Sequence, residues 1–154
     1  MKARTIVLML VTCVVGWTMC FAADAYMGTW KLNEAKSKIS AGSLKNTNVV
    51  YQATGDDVKV TSDGIGADGS PTHIEWTGKF DGKDYPVTGD PNSDMRSYKK
   101  VDDHTLEMTA KKAGKVTTTG RIVVSTDGKT RTVSTKGTDS TGKSFQNTAV
   151  YDKQ

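Results

Sequence analysis

Few residues in this chain have the types and spacing that catalysis needs. Two histidines, His73 and His104, lie far apart in sequence. His73 has the opposite strand parity from Ile74 and Trp76, which predicts that it points outward, and His104 sits beside Asp102 and Asp103 at a turn. Two such separated imidazoles make a weak metal pair. Asp90-Pro91-Asn92-Ser93-Asp94 spaces its oxygen ligands like the start of a calcium loop. The required glycine at its sixth position is Met95, however, and the bidentate glutamate at its twelfth is Val101. The segment is read as a polar turn, with weak calcium binding by Asp81, Asp84, Asp90 and Asp94 as the alternative. No nucleophile elbow, His-Glu-x-x-His sequence or phosphate-cradling glycine loop is present. The expectation is a protein without catalytic residues, metal or cofactor.

Ligand chemistry has better candidates. Tyr151 shares a strand face with Phe145, Asn147 and Ala149, and Tyr51 shares one with Val49 and Ala53. A tyrosine gives a cavity an apolar body with one hydrogen-bonding tip. The same residues would serve equally as core side chains with satisfied hydroxyls.

The N-terminus reads as an export signal. Lys2 and Arg4 precede an apolar run from Ile6 to Val15, and Cys20-Phe21-Ala22 places small residues at −3 and −1 of a cleavage site. Spanning a bilayer takes about 20 predominantly apolar residues, which exceeds this run. Cys13 and Cys20 lack the preceding Gly or Ala of a lipidation site. Cleavage after Ala22 is expected, with Ala23 or Ala25 as alternatives, leaving residues 23–154 as a single domain. Both cysteines leave with the signal, so no disulfide or thiolate site remains. The formal charge of +4 falls to +2, because residues 1–22 carry two cations and no acid. The remaining lysines are dispersed, and the basic stripe with interleaved aromatics that a nucleic acid would need is missing.

Glycine turns recur along the rest of the chain, among them Gly55-Asp56, Asp63-Gly64, Asp68-Gly69, Asp81-Gly82, Ala113-Gly114, Asp127-Gly128 and Thr141-Gly142. Between them the runs alternate in polarity. Ile74, Trp76 and Phe80 oppose Glu75, Thr77 and Lys79, while Leu106, Met108 and Ala110 oppose Glu107, Thr109 and Lys111. Strands are predicted at 27–33, 47–54, 57–62, 72–80, 83–88, 94–101, 104–112, 115–125, 129–137 and 143–152. Pro86 predicts an edge or bulge within its strand. A sequential hairpin series of this kind closes most simply into an all-β, up-and-down antiparallel barrel of 8–10 strands. A sandwich is the rival.

Gly28-Thr29-Trp30-Lys31-Leu32 resembles the first-strand motif of the calycin group, the lipocalins and fatty-acid-binding proteins. Asp127-Gly128-Lys129, Lys136-Gly137 and Val150-Tyr151-x-Lys153 are similar to the closing hairpins of the fatty-acid-binding branch. The chain looks most similar to short secreted bacterial lipocalin-like proteins. The resemblance implies that Gly28 and Trp30 close one end of the barrel, and that Arg121 or Arg131 lies across Trp30 or in the pocket. It also implies that the Tyr151 face, Asn147 included, lines the interior with Tyr51. The partner so implied is a small apolar or amphipathic ligand, and the place a periplasm or the cell exterior. The chain departs from the family twice. Ala149 stands where the carboxylate-binding arginine of Arg-x-Tyr would be, which removes a bidentate contact. Residues 33–45 are also too few for a helix-turn-helix lid. A barrel with a filled interior that meets a macromolecule is the alternative function. N-terminal sequencing of the exported protein should begin at Ala23; a chain beginning at Met1 would contradict the signal reading.

Overall fold

The structure, a computed structural model, describes residues 24–139 and 141–154. The signal reading at residues 1–22 lies outside the described residues. Ten strands follow one another: β1 (Gly28–Leu32), β2 (Lys45–Thr54), β3 (Asp57–Ile65), β4 (Pro71–Gly78), β5 (Tyr85–Thr88), β6 (Met95–Asp102), β7 (Thr105–Lys112), β8 (Lys115–Val124), β9 (Thr130–Thr138) and β10 (Ser144–Lys153). Each pairs antiparallel with its sequence neighbours, and β1 pairs with both β2 and β10, which closes the barrel. Closure satisfies the ladder groups that an open sheet would leave bare at its edges. The architecture is the expected all-β up-and-down barrel of a calycin-like fold, and the sandwich is excluded.

The strand pattern matches the predicted runs closely, with one instructive difference. Asp63-Gly64 is not a turn. β3 continues through it to Ile65, with Gly64 paired to Asn46 on one side and Thr72 on the other. A Cβ on Gly64 would stand 2.2 Å from the Lys45 carbonyl oxygen, so this glycine serves a close approach of two strands. That approach coincides with a register shift in β2 between Asn46 and Asn48. Asp127-Gly128, by contrast, is the turn it was read as, with Gly128 at φ +68°. Pro86 lies in β5, the shortest of the later strands, which makes only two ladder pairs with β4 and two with β6.

Residues 33–44 form a connector. It contains one 3₁₀ turn, Glu34–Lys36, whose N-terminus is capped by the Asn33 side chain accepting from Lys36 N at 3.2 Å. A bridge between Lys38 and Thr148 straps the connector to β10. It is no helical lid, as its length predicted. Among the described residues no helix is long and apolar enough to cross a membrane.

The two barrel ends differ. The connector, the β3–β4 turn, the β5–β6 loop and the β9–β10 turn gather at one end, the mouth. The opposite end, the floor, is packed with Tyr26, Trp30, Leu106 and Val124, all at most 2 % exposed. His73 lies on the outer wall as predicted. Its Nδ1 is 2.6 Å from Asp63, and that hydrogen bond raises its pKa above the ordinary value.

Two glycines with positive φ test the backbone account. Gly89 sits at φ +79°, and an added Cβ would lie 1.9 Å from the His73 carbonyl oxygen; at Gly128 a Cβ meets nothing within 4 Å. Gly128→Ala is expected to cost about 1–2 kcal/mol from left-handed strain alone. Gly89→Ala should cost clearly more, because backbone must also move. Urea unfolding midpoints check the order, and equal costs would contradict it.

Candidate ligand cavity

The floor is built from Trp30 outward. Its indole Nε1 donates to the Tyr26 carbonyl at 2.8 Å, and the Tyr26 hydroxyl donates to the Asp102 carbonyl at 2.8 Å. The residues just before β1 therefore fold beneath the barrel as a plug. Tyr26 also meets Phe80 edge-on, with ring centres 5.8 Å apart. Burial, reinforced by Asp102, pushes the Tyr26 phenol up to about 12. Lys153 Nζ lies 5.1 Å from the centre of the Trp30 ring. Gly28, at φ +110°, permits this approach, since a Cβ there would sit 3.1 Å from Lys153 Cε.

Arg131 is enclosed by aromatic rings. Its guanidinium carbon is 5.2 Å from the ring centre of Trp30, 5.1 Å from that of Tyr51 and 4.5 Å from that of Tyr151. The side chain reaches this place because Arg131 on β9 stands directly opposite Tyr151 on β10 and Val124 on β8. It is 2 % exposed, and among the described residues no carboxylate pairs with it. Among the described residues Nε and Nη1 have no hydrogen-bond partner. Cation–π contact offsets part of the desolvation of the charge, at up to about 2 kcal/mol per ring. It does not supply the acceptors that the two N–H groups lack.

Above Arg131 opens a cavity of about 590 Å³ that reaches the mouth. Its apolar wall includes Val49, Met108, Ile122 and Val133. Four of the five sequence candidates border it: Tyr51, Arg131, Asn147 and Tyr151. Arg121 does not. It points out of the barrel, 54 % exposed in its side chain, with Nη1 3.8 Å from Glu107. Alternation decides the matter, because Ile122 and Val124 take the inner face of β8 and leave Arg121 the outer one. The choice left open between Arg121 and Arg131 falls to Arg131.

The candidates are not equally free. The Tyr151 hydroxyl donates to the Asn46 carbonyl at 3.0 Å, and Asn147 Oδ1 accepts from Ser40 N at 2.8 Å, anchoring the connector. Burial raises the Tyr151 pKa, and burial followed by Tyr98 raises that of Tyr51. Both phenols thus keep their protons across the physiological range, and that of Tyr151 donates to Asn46.

A second buried arginine lies higher in the wall. Arg96 Nη2 pairs with Asp90 Oδ2 at 2.7 Å, with side-chain exposures of 9 % and 7 %. Asp90 also accepts from Asn92 N at 2.8 Å and Ser93 Oγ at 2.5 Å, which holds the β5–β6 loop at the mouth. Burial works against the Arg96 charge, but Tyr98 and Asp90 outweigh it and raise its pKa. Tyr98 packs edge-on against Tyr51, ring centres 6.5 Å apart, and acts electrostatically on Arg96, so a polar ladder climbs from Arg131 through Tyr51 and Tyr98 to Arg96 and Asp90. Arg96 and Tyr98 were not singled out from the sequence. Their signal is Arg96-Ser97-Tyr98, an Arg-x-Tyr on β6 instead of β10. Arg96 and Arg131 thus bring two guanidinium groups to the cavity from β6 and β9.

The aspartates do not gather around an ion. Asp81 accepts from Lys83 N and Tyr85, Asp84 pairs with Lys111, and Asp94 accepts from Ala113 N. Among the described residues no group of three metal-ligating side chains exists.

No family model matches this chain, and no curated protein matches it. Solved structures similar to it include a redesigned β-barrel, 18 % identical over 88 % of this chain and 97 % of its own, with a TM-score of 0.49. A second redesigned barrel, mFAP1, bound to DFHBI, is 17 % identical over 84 % of this chain and 95 % of its own, with a TM-score of 0.43. A third structure bound to DFHBI is 14 % identical over 84 % and 94 %, with a TM-score of 0.46.

Each unpaired buried N–H costs about 1–3 kcal/mol, so Arg131 carries a standing penalty. Arg131→Met, which keeps much of the volume, should leave the unfolding free energy within about 1 kcal/mol of the parent or raise it. A loss of about 3 kcal/mol or more would mark Arg131 as a packing residue.

Proposed function

We propose that this chain is an exported, non-catalytic barrel that binds a small amphipathic molecule, with an acceptor-rich, anionic head group on Arg131 and an apolar body along the wall. The observation that carries this reading is Arg131 itself: at the bottom of a cavity, a buried cation that has, among the described residues, no acid partner and two unpaired N–H groups. A guanidinium is charged throughout the physiological range and is preorganised for carboxylate. The cavity volume lies within the 300–1,000 Å³ typical of small-molecule sites, which counts against a filled interior. Arg131 and the Tyr151 opposite it give this barrel a cation-and-phenol pair despite Ala149. The signal-like N-terminus is what supports export to a periplasm or the cell exterior.

The anionic fluorophore 1-anilinonaphthalene-8-sulfonate is a suitable first probe. The wild-type protein should bind one equivalent with enhanced, blue-shifted emission, and Arg131→Met should bind about tenfold more weakly, a difference of about 1.4 kcal/mol. A variant that folds and binds the probe as tightly as the parent would remove Arg131 from the site.

A further inference from the structure

Four side chains that border the cavity have buried polar atoms without a partner among the described residues: Arg131, Arg96, Asn46 and Thr72. Arg131 is at the floor, and the other three stand higher in the wall. Asn46 and Thr72 lie on one transverse row, each opposite Gly64, which has no side chain to stand between them and packs closely on the β2 backbone. Asn46 takes its place there through the β2 register shift, since strict alternation from Val49 and Tyr51 would give it the outer face. Arg96 comes from β6, 8 % exposed, with Nε unpaired.

The charge on this upper station is already balanced, because Asp90 pairs with Arg96 at 2.7 Å. What remains is one unpaired donor, Arg96 Nε, one unpaired acceptor, Asn46 Oδ1, and the Thr72 hydroxyl, which is either. An apolar chain end would leave all three unsatisfied. A second carboxylate would bring its charge toward Asp90 and offer Asn46 Oδ1 no proton. A hydroxyl or an amide both donates and accepts without charge.

Resting on the binding reading above, we infer that the ligand is a bipolar acid: an anionic head at Arg131, an apolar middle, and one uncharged hydroxyl or amide at the Arg96–Asn46–Thr72 station. The station selects against plain fatty acids and against diacids.

Isothermal titration with three probes of one skeleton tests this on the wild-type protein: 2-naphthoate, 6-hydroxy-2-naphthoate and naphthalene-2,6-dicarboxylate. The hydroxy acid should bind at least fivefold more tightly than 2-naphthoate, and the diacid no more tightly than 2-naphthoate. In Asn46→Leu the ratio between hydroxy acid and 2-naphthoate should fall to within twofold. Thr72→Val gives the same readout should Asn46→Leu fail to fold, with a smaller fall expected. Equal affinity of the first two probes for the wild type, or the diacid binding tightest, overturns the upper station while leaving the binding reading intact. Failure of all three probes to bind overturns both.

Discussion

A guanidinium carried into the interior of a barrel must be paired, hydrated or enclosed by π faces. The rest of this structure depends on how Arg131 is treated. Three aromatic rings surround it, and each is held by a separate device. Trp30 is pinned from below by the backbone of Tyr26, which is tied across to Asp102. Tyr151 is fixed through Asn46, and Tyr51 packs edge-on against Tyr98. The rings stabilise the charge but cannot accept its N–H groups. Arg131 is therefore well placed and incompletely satisfied.

The polar ladder links this floor to the mouth. Tyr51 touches Arg131 at one end and packs edge-on against Tyr98 at the other, Tyr98 acts on Arg96, and Arg96 holds Asp90 in the β5–β6 loop. β5 is the weakest seam of the barrel, with four residues, a central Pro86 and two pairs on each side. The buried Arg96–Asp90 pair thus secures the loop next to the segment with the fewest ladder bonds. Breaking such a pair from one side leaves an uncompensated charge, which makes it a strong local tie whatever its net contribution to stability.

Much of this was legible from alternation alone. The inward direction of Trp30, Trp76, Tyr51 and Tyr151 follows from period-two patterning, and so does the outward direction of His73. The same rule, applied to Ile122 and Val124, also separates Arg121 from Arg131. Four features escaped for physical reasons. The inner face of β6 is polar, with Arg96 and Tyr98 where the pattern sought aliphatics, so it carried no hydrophobic signal. Asn46 is turned inward by a bulge, which reverses parity without a mark in the sequence. Gly64 follows an aspartate and so imitates a turn, while its actual role is the contact with Lys45 on the neighbouring strand. Tyr26 belongs to a plug without regular structure, and no periodicity could place it.

The central claim is that the barrel interior is shaped for an acid that Arg131 holds. Native mass spectrometry of the protein purified from its own host tests it most directly. The account predicts one adduct of discrete mass that is released as an anion on activation. The bare chain as the only species, with no adduct regained on exposure to an extract of the host, would contradict it.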